Sequence, residues 1–236
     1  MNNSTVEIIF EEGPCFVLNK PPGLLTQAPP GIDSLESRFK ALLRRRLDRQ
    51  DGKIYLGLPH RLDRPVSGAI LFARHVRAAR RLSEQFEART IRKVYWALVE
   101  GEPAKPSGTW RDFLRKIPGE AKAEQVDATH PDAREAVLHF KRLASTPAGS
   151  LLEIELETGR MHQIRIQAAS RGLPIVGDAL YGAVQSFGEP HADDRLRAIA
   201  LHGRRLEFRH PMHHEPRQVE APLPDAWRSL GLGPQA

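Results

Sequence analysis

The chain has 236 residues, 40% apolar and 27% charged, a composition too apolar for a disordered chain and without the periodicity of collagen or a long coiled coil. The one cysteine, Cys15, excludes an internal disulfide and any thiolate cluster for zinc or iron–sulfur. No basic and apolar leader opens the sequence, and no uncharged run approaches the roughly 18 residues of a membrane span, so a cytoplasmic protein without membrane attachment is expected.

Val6 to Phe10 and Cys15 to Leu18 are short apolar runs split by Gly13-Pro14, the pattern of two strands about a turn. A Pro- and Gly-rich segment, KPPGLLTQAPPG, follows. Asp33 with Glu36 reads as a capping box, after which Leu35, Phe39, Leu42, Leu43 and Leu47 recur at helical spacing. Arg44, Arg45 and Arg46 lie mostly off that apolar stripe. Ala69 to Ala73 reads as a buried strand, His75 to Ala88 as a helix, and Arg92 to Val99 as a strand.

Glu102 to Pro131 shifts in composition and reads as an insertion, with a weak strand at Trp110 to Lys116. Ala136 to Leu143 and Leu152 to Leu156 alternate as half-buried strands do. Gly159 to Arg171 changes period, predicting a turn and then a helix from about His162 to Gly172. Ala198 to Leu201, Leu206 to Phe208 and Gln218 to Ala221 add short strands, and Asp225 to Leu230 a closing helix. The expected fold is therefore α+β: one domain over residues 1–236, its central, largely antiparallel sheet flanked by helices and loops around a basic cleft.

The charge is local. Arg38 to Lys93 carries 16 Lys/Arg against 5 Asp/Glu, a net of +11, so the other 180 residues are net −5 against a total of +6. Such a field attracts a polyanion such as nucleic acid. Within it, His60-Arg61-Leu62-Asp63-Arg64 sets a carboxylate between two guanidiniums at the mouth of a strand, a setting that suits a nucleophile or base but is more often a structural ion pair. A second block, Gly159 to Arg165, packs four polar side chains at the start of an otherwise apolar helix, which implies partners or a ligand.

Four blocks in order carry a resemblance. They are Asn19 to Thr26 (NKPPGLLT); His60 to Asp63 with Ser67-Gly68; Lys93 to Gly101 (KVYWALVEG); and Gly159 to Arg165 with Gly172 to Asp178 and Tyr181-Gly182. A trailing Ala200-Leu201-His202 and Leu206 to Pro211 agree with them. Over residues 6 to 222 the chain resembles the RluA-type pseudouridine synthases, which isomerise uridine within RNA. The resemblance implies that Asp63 is the essential carboxylate, Arg165 its ion-pair partner and Tyr95 the residue against the target base. It further implies that Arg61 enters the RNA where the uridine leaves the stack, and that Ile166 floors the uracil pocket. Val66, Met161 and Gln167 stand where Thr, Thr and His are common, which puts substrate identity in question. Only 18 residues precede Asn19, so the additional RNA-binding domain of many relatives is expected to be absent. The basic stretch Arg38 to Arg49, with Arg44, Arg45 and Arg46, is then expected to supply the missing RNA contacts.

The isomerisation breaks the N1–C1′ bond, turns the base and rejoins it through C5. Nothing is added or lost, so no cofactor or metal is expected. The histidines at 210, 213 and 214 are too poorly directed for a zinc site. His60 and His162 are expected to be hydrogen-bonded scaffolding. Asp63 either attacks C1′ or removes the C2′ proton, and both routes need an ionised carboxylate at near-attack distance. Tyr95 offers a flat face for uracil and a hydroxyl to help remove the C5 proton. An RNA-binding protein with an idle site, and a hydrolytic nucleosidase, are the rival readings; Asp178 could be the latter's second acid. The partner is RNA, transfer RNA being favoured slightly over ribosomal, and the protein is expected to act as a monomer.

Overall fold

The computed structural model describes residues 6–48, 53–228 and 230. Its centre is a ten-stranded, mostly antiparallel sheet, so the expected α+β architecture is observed. In chain order the strands are β1 (Glu7–Glu12), β2 (Cys15–Lys20), β3 (Ser67–Ala73), β4 (Arg92–Val99), β5 (Ser107–Lys116), β6 (Ala123–Val126), β7 (Arg134–Thr146), β8 (Gly149–Leu156), β9 (Leu201–Arg209) and β10 (Pro216–Glu220). Their spatial order is β1-β2-β3-β9-β4-β8-β7-β5-β6, with β10 beside β9. Among the described residues four α-helices accompany them: α1 (Leu35–Arg46), α2 (Val76–Glu87), α3 (Gln163–Ala169) and α4 (Asp225–Arg228).

Side-chain alternation on β2 explains the two layers. Cys15 and Val17 enter one core with Leu71, Leu82 and Phe208, while Phe16 and Leu18 enter the other with Phe39, Phe72 and Trp227. Helix α1 packs on the second core through Leu35, Phe39 and Leu43, and α2 on the first through Ala78, Ala79 and Leu82. With both faces covered, β3 is buried along its whole length, hence its apolar run from Gly68 to Ala73. Cys15 sits in this core, where burial pushes its thiol up to about 12.

The strand pair that positions the site is β3 with β9, the only parallel pair in the sheet among the described residues, which matches at just Ser67↔His202 and Gly68↔Gly203. Gly68 has φ +120, and a Cβ there would lie 2.3 Å from the Gly203 carbonyl oxygen, so only glycine permits the crossing. The chain enters this crossing from a turn in which the Val66 N–H donates to the Asp63 carbonyl at 3.1 Å.

Three expectations need correction. The cap of α1 is Ser34, whose side chain accepts from the Ser37 N–H in a reciprocal box, and Asp33 instead pairs with Arg38. Serine at both positions satisfies the box as well as an acid, so Glu36 was a false signal. The segment Glu102 to Pro131 is no insertion: β5 and β6 lie within it and extend the sheet from β7. Ala198 to Leu201 and Leu206 to Phe208 do not form two strands; β9 runs continuously from Leu201, its partners changing along its length.

Candidate active site

An open cleft of about 1230 Å³ lies where the β3–β9 crossing meets β4, the end of β8 and the start of α3. Asp63, Tyr95, Arg165, Arg61, His60 and His162 all line it. Four segments far apart in sequence therefore converge, as the ordered blocks required.

Asp63 is positioned by its neighbours. On one side the Leu62 N–H donates to the Thr26 hydroxyl at 3.2 Å, and that hydroxyl donates to the Leu62 carbonyl at 2.8 Å. On the other side the Arg64 carbonyl accepts from the Gly23 N–H at 2.8 Å and from Lys20 Nζ at 3.1 Å. Lys20 is wholly buried and also donates to the Pro21 and Leu24 carbonyls. Burial pulls its pKa down to about 7, but three carbonyl acceptors demand three donors, which only the ammonium has. The segment KPPGLLT is thus an ordered brace for the Asp63 turn.

The carboxylate itself is 32% exposed, with Oδ2 3.6 Å from Arg165 Nη1 and 3.7 Å from His162 Nε2. Arg165 is bound more closely elsewhere. Its Nε and Nη2 donate to Asp178 at 2.6 and 2.7 Å, both partners being almost fully buried. Burial opposes the Arg165 charge, but the Asp178 carboxylate outweighs it and holds the guanidinium above its ordinary value. Arg165 therefore does reach Asp63, but as a bridge: Asp178 fixes it and one remaining nitrogen faces Asp63. Asp178 is the functional candidate whose role the sequence left unassigned. Its signal was its place in the GDALYG block, 13 residues beyond Arg165.

Tyr95 is buried on β4, and that burial, helped by the Asp63 charge, pushes its phenol well above the ordinary value. It keeps its proton. His60 accepts the Leu71 N–H on Nε2 at 2.9 Å and stacks on Phe86, and burial lowers its pKa to about 3. It is scaffolding, as expected. Arg61 is exposed at the rim. Ile166 does not floor the cleft; it packs with Leu114, Ala123 and Ala136, because successive helical residues diverge by about 100°. Ile164, Val66 and Leu201 supply the apolar lining instead.

The basic lining comes from Arg61, Arg64, Arg89, Lys93, Lys116 and Arg160 together with Arg165. Arg44, Arg45 and Arg46 are not brought to it. Helix α1 starts beside the cleft, where the Leu35 N–H donates to the Leu25 carbonyl, and its 1.5 Å rise per residue carries Arg46 roughly 16 Å away, to pair with Glu11. Arg49 lies outside the described residues.

A family model described as RNA pseudouridylate synthase matches residues 14–170. The chain belongs to this family. A relative called an uncharacterized RNA pseudouridine synthase, from Zymomonas mobilis, is 36% identical over 95% of this chain and 97% of its own length. A ribosomal large subunit pseudouridine synthase D from Xanthomonas campestris is 33% identical over 95% of this chain and 68% of its own. The human RNA pseudouridylate synthase domain containing 4 has the same fold, with a TM-score of 0.76 at 23% identity over 95% of this chain and 93% of that one. The chain is accordingly an RNA pseudouridine synthase, and its reaction is the isomerisation of uridine to pseudouridine in RNA.

Two further sequence features resolve against this synthase frame. Gln167 is wholly buried and donates to Asp112 at 2.6 Å and to the Trp110 and Ala136 carbonyls at 3.2 Å, while Gln163 donates to it at 3.0 Å. It anchors α3 to β5 and β7 rather than facing substrate, whereas Val66 and Met161 do line the cleft. Glu12, His210 and His213 gather with their ligand atoms within 4.8 Å of one another. These donors are committed: Arg217 holds Glu12 at 2.6 and 2.8 Å, and both His210 nitrogens are hydrogen-bonded. Among the described residues, no helix is long and apolar enough to cross a membrane.

Proposed function

We propose that Asp63 is the essential carboxylate of this synthase, acting on the ribose of a uridine turned out of a structured RNA. The observation that carries the reading is the juxtaposition of Asp63 and Tyr95 in one cation-lined cleft large enough for a nucleotide and its flanking backbone. A stacked uridine hides C1′ and C5, so the base must leave the stack, and exposed Arg61 at the rim is suited to fill the gap. Asp63 then works at C1′ or C2′, the N1–C1′ bond breaks, the base turns, and C5 bonds to C1′. The C5 proton departs and N1 gains one. Tyr95, holding its proton in the free protein, serves as the flat face against uracil and offers a hydroxyl to help move the C5 proton. Arg165, fixed by Asp178, offsets the cost of keeping Asp63 charged in a partly desolvated site.

The reading takes one catalytic domain, working as a monomer in the cytoplasm without metal or cofactor, on a small stem-loop such as that of transfer RNA. Relatives named for the ribosomal large subunit make ribosomal RNA the second arm of the test. Purified protein is incubated with transfer RNA and with ribosomal RNA fragments, and pseudouridine and free uracil are both measured. Pseudouridine from wild type and none from Asp63→Asn, with RNA binding kept, is the expected result. Free uracil would identify a hydrolase, and an active Asp63→Asn would remove Asp63 from its role.

A further inference from the structure

We propose that His162 is a positioning residue for the Asp63 carboxylate, held in its working tautomer by Tyr181; the proposal rests on the reading that Asp63 acts on the ribose. His162 precedes α3 with φ 53, the left-handed region that a residue with a Cβ occupies only at a cost, and its side chain makes no capping bond to the helix. That backbone places the ring in the cleft instead.

Both ring nitrogens have assigned directions. Nδ1 lies 2.8 Å from the Tyr181 hydroxyl and Nε2 3.7 Å from Asp63 Oδ2. The Tyr181 hydroxyl has one proton and two acceptors, His162 Nδ1 at 2.8 Å and the Ala123 carbonyl at 3.1 Å, while the Ala123 N–H donates to it at 3.2 Å. We assign the hydroxyl proton to the shorter bond, to nitrogen, which leaves the hydrogen of the neutral imidazole on Nε2; the Asp63 charge favours the same tautomer, because it would repel a bare Nε2 lone pair. Burial keeps His162 below the usual imidazole value although Asp63 pulls it up; the charged or titratable groups around it are Asp63, Arg165, Asp178 and Tyr181.

Arg165 alone cannot orient Asp63, because two of its nitrogens are given to Asp178 and only Nη1 remains. His162 meets the same oxygen, Oδ2, from a second direction. Two donors 3.6 and 3.7 Å from one oxygen draw Oδ2 toward α3 electrostatically and leave Oδ1, which has no bonding partner among the described residues, for the ribose. Tyr181 is itself held: the Arg165 guanidinium lies 4.9 Å over its ring. Catalytic contacts are often long in a substrate-free site and tighten in the complex, and for His162 to act the 3.7 Å separation must close in this way.

Glutamine and asparagine divide the two contacts, since a glutamine amide reaches the position of Nε2 and an asparagine amide that of Nδ1. Single-turnover rates and RNA affinities are measured with an RNA that wild type converts. His162→Gln is expected to keep most of the rate, and His162→Asn to lose about a hundredfold with unchanged affinity, the scale of a misplaced reacting group. Tyr181→Phe should fall between them. A role confined to anchoring Tyr181 predicts the reverse order, and that order, wild-type rates in both His162 variants, or a loss confined to affinity overturns the proposal. Should neither His162 variant fold, an unchanged rate in Tyr181→Phe overturns it. Failure of the underlying reading is separate: it shows as an active Asp63→Asn or an inactive wild type.

Discussion

Asp63 is held from two sides, and the two holds are chemically unlike. Toward the N-terminal brace the bonds run to backbone: Thr26 to Leu62, and Lys20 and Gly23 to Arg64. Toward α3 the contacts are electrostatic and reach the carboxylate itself, from Arg165 at 3.6 Å and His162 at 3.7 Å, with Asp178 and Tyr181 behind them. The brace determines where the turn sits; the α3 side determines where its charge points. A hold directed at backbone serves folding first, whereas a hold directed at a charged carboxylate costs desolvation that is recovered only if every partner is present.

The largest expected effect comes from breaking the charged side at its centre. Arg165→Met leaves Asp178, 1% exposed, as a buried carboxylate without its counter-ion. Removing one member of such a pair costs about 3–5 kcal/mol, so denaturant unfolding should register it together with near-complete loss of turnover. The stranded group is Asp178 before Asp63. Asp178→Asn in the same background should therefore return much of the stability and none of the activity; no return would mean that Asp178 is not the partner that matters.

Breaking the brace should be milder in stability and still visible in rate. Lys20→Met removes the donor to three carbonyls on two loops, at about 2–4 kcal/mol for poorly satisfied buried acceptors. The turn then shifts as a unit, and the single-turnover rate should fall about a hundredfold. A variant that keeps wild-type rate while losing stability would show that the brace serves folding alone.

The legibility of these two sides in the sequence differs for a physical reason. The brace and the Asp63 turn are local motifs, KPPGLLT and HRLDR, and β2, β3, α2 and β4 were readable from apolar runs and periodicity. β5 was read only from Trp110 onward, and β6 was missed, because half-exposed strands such as Ser107 to Lys116 carry little apolar alternation at their start. Asp178 was left unassigned, and Ile166 misplaced, because pairing between α3 and the loop after it depends on which face the helix presents, a quantity that a seven-residue helix barely encodes. The position of Arg44 to Arg46 depended in the same way on where α1 begins.

A third tie lies beneath both sides and sharpens the comparison through pH. The Ser67 hydroxyl donates to His202 Nδ1 at 2.8 Å, while Nε2 faces the Ala221 carbonyl at 3.3 Å. Burial lowers the His202 pKa to about 4, so the folded protein keeps it neutral. The unfolded chain takes up this proton near pH 6.5 and the folded chain only near 4, so unfolding is favoured as the pH falls between those values. The loss of stability reaches about 3 kcal/mol by pH 4, and none of it has occurred well above pH 6.5. His60 acts in the same direction. His202→Asn cannot take the proton, so its stability should decline less steeply from pH 7 to 4 than that of wild type; parallel declines would place the acid sensitivity elsewhere.

The smallest effect is expected where the sequence placed the RNA contacts. RNA affinity should fall with salt because cationic side chains displace counterions from phosphates, each contact contributing to the slope. Arg89, Lys93 and Arg160 line the cleft, so replacing them with Gln should flatten that slope and weaken binding. Arg44, Arg45 and Arg46 stand roughly 13 to 16 Å along α1 from its cleft end, beyond the roughly 8 Å screening length of physiological salt. Arg46 is moreover shared with Glu11. Replacing these three with Gln should change the slope by less than the cleft substitutions do, and the single-turnover rate not at all. An equal or larger change would mean that the bound RNA follows α1 beyond the cleft, extending the recognised surface across the face that carries the brace.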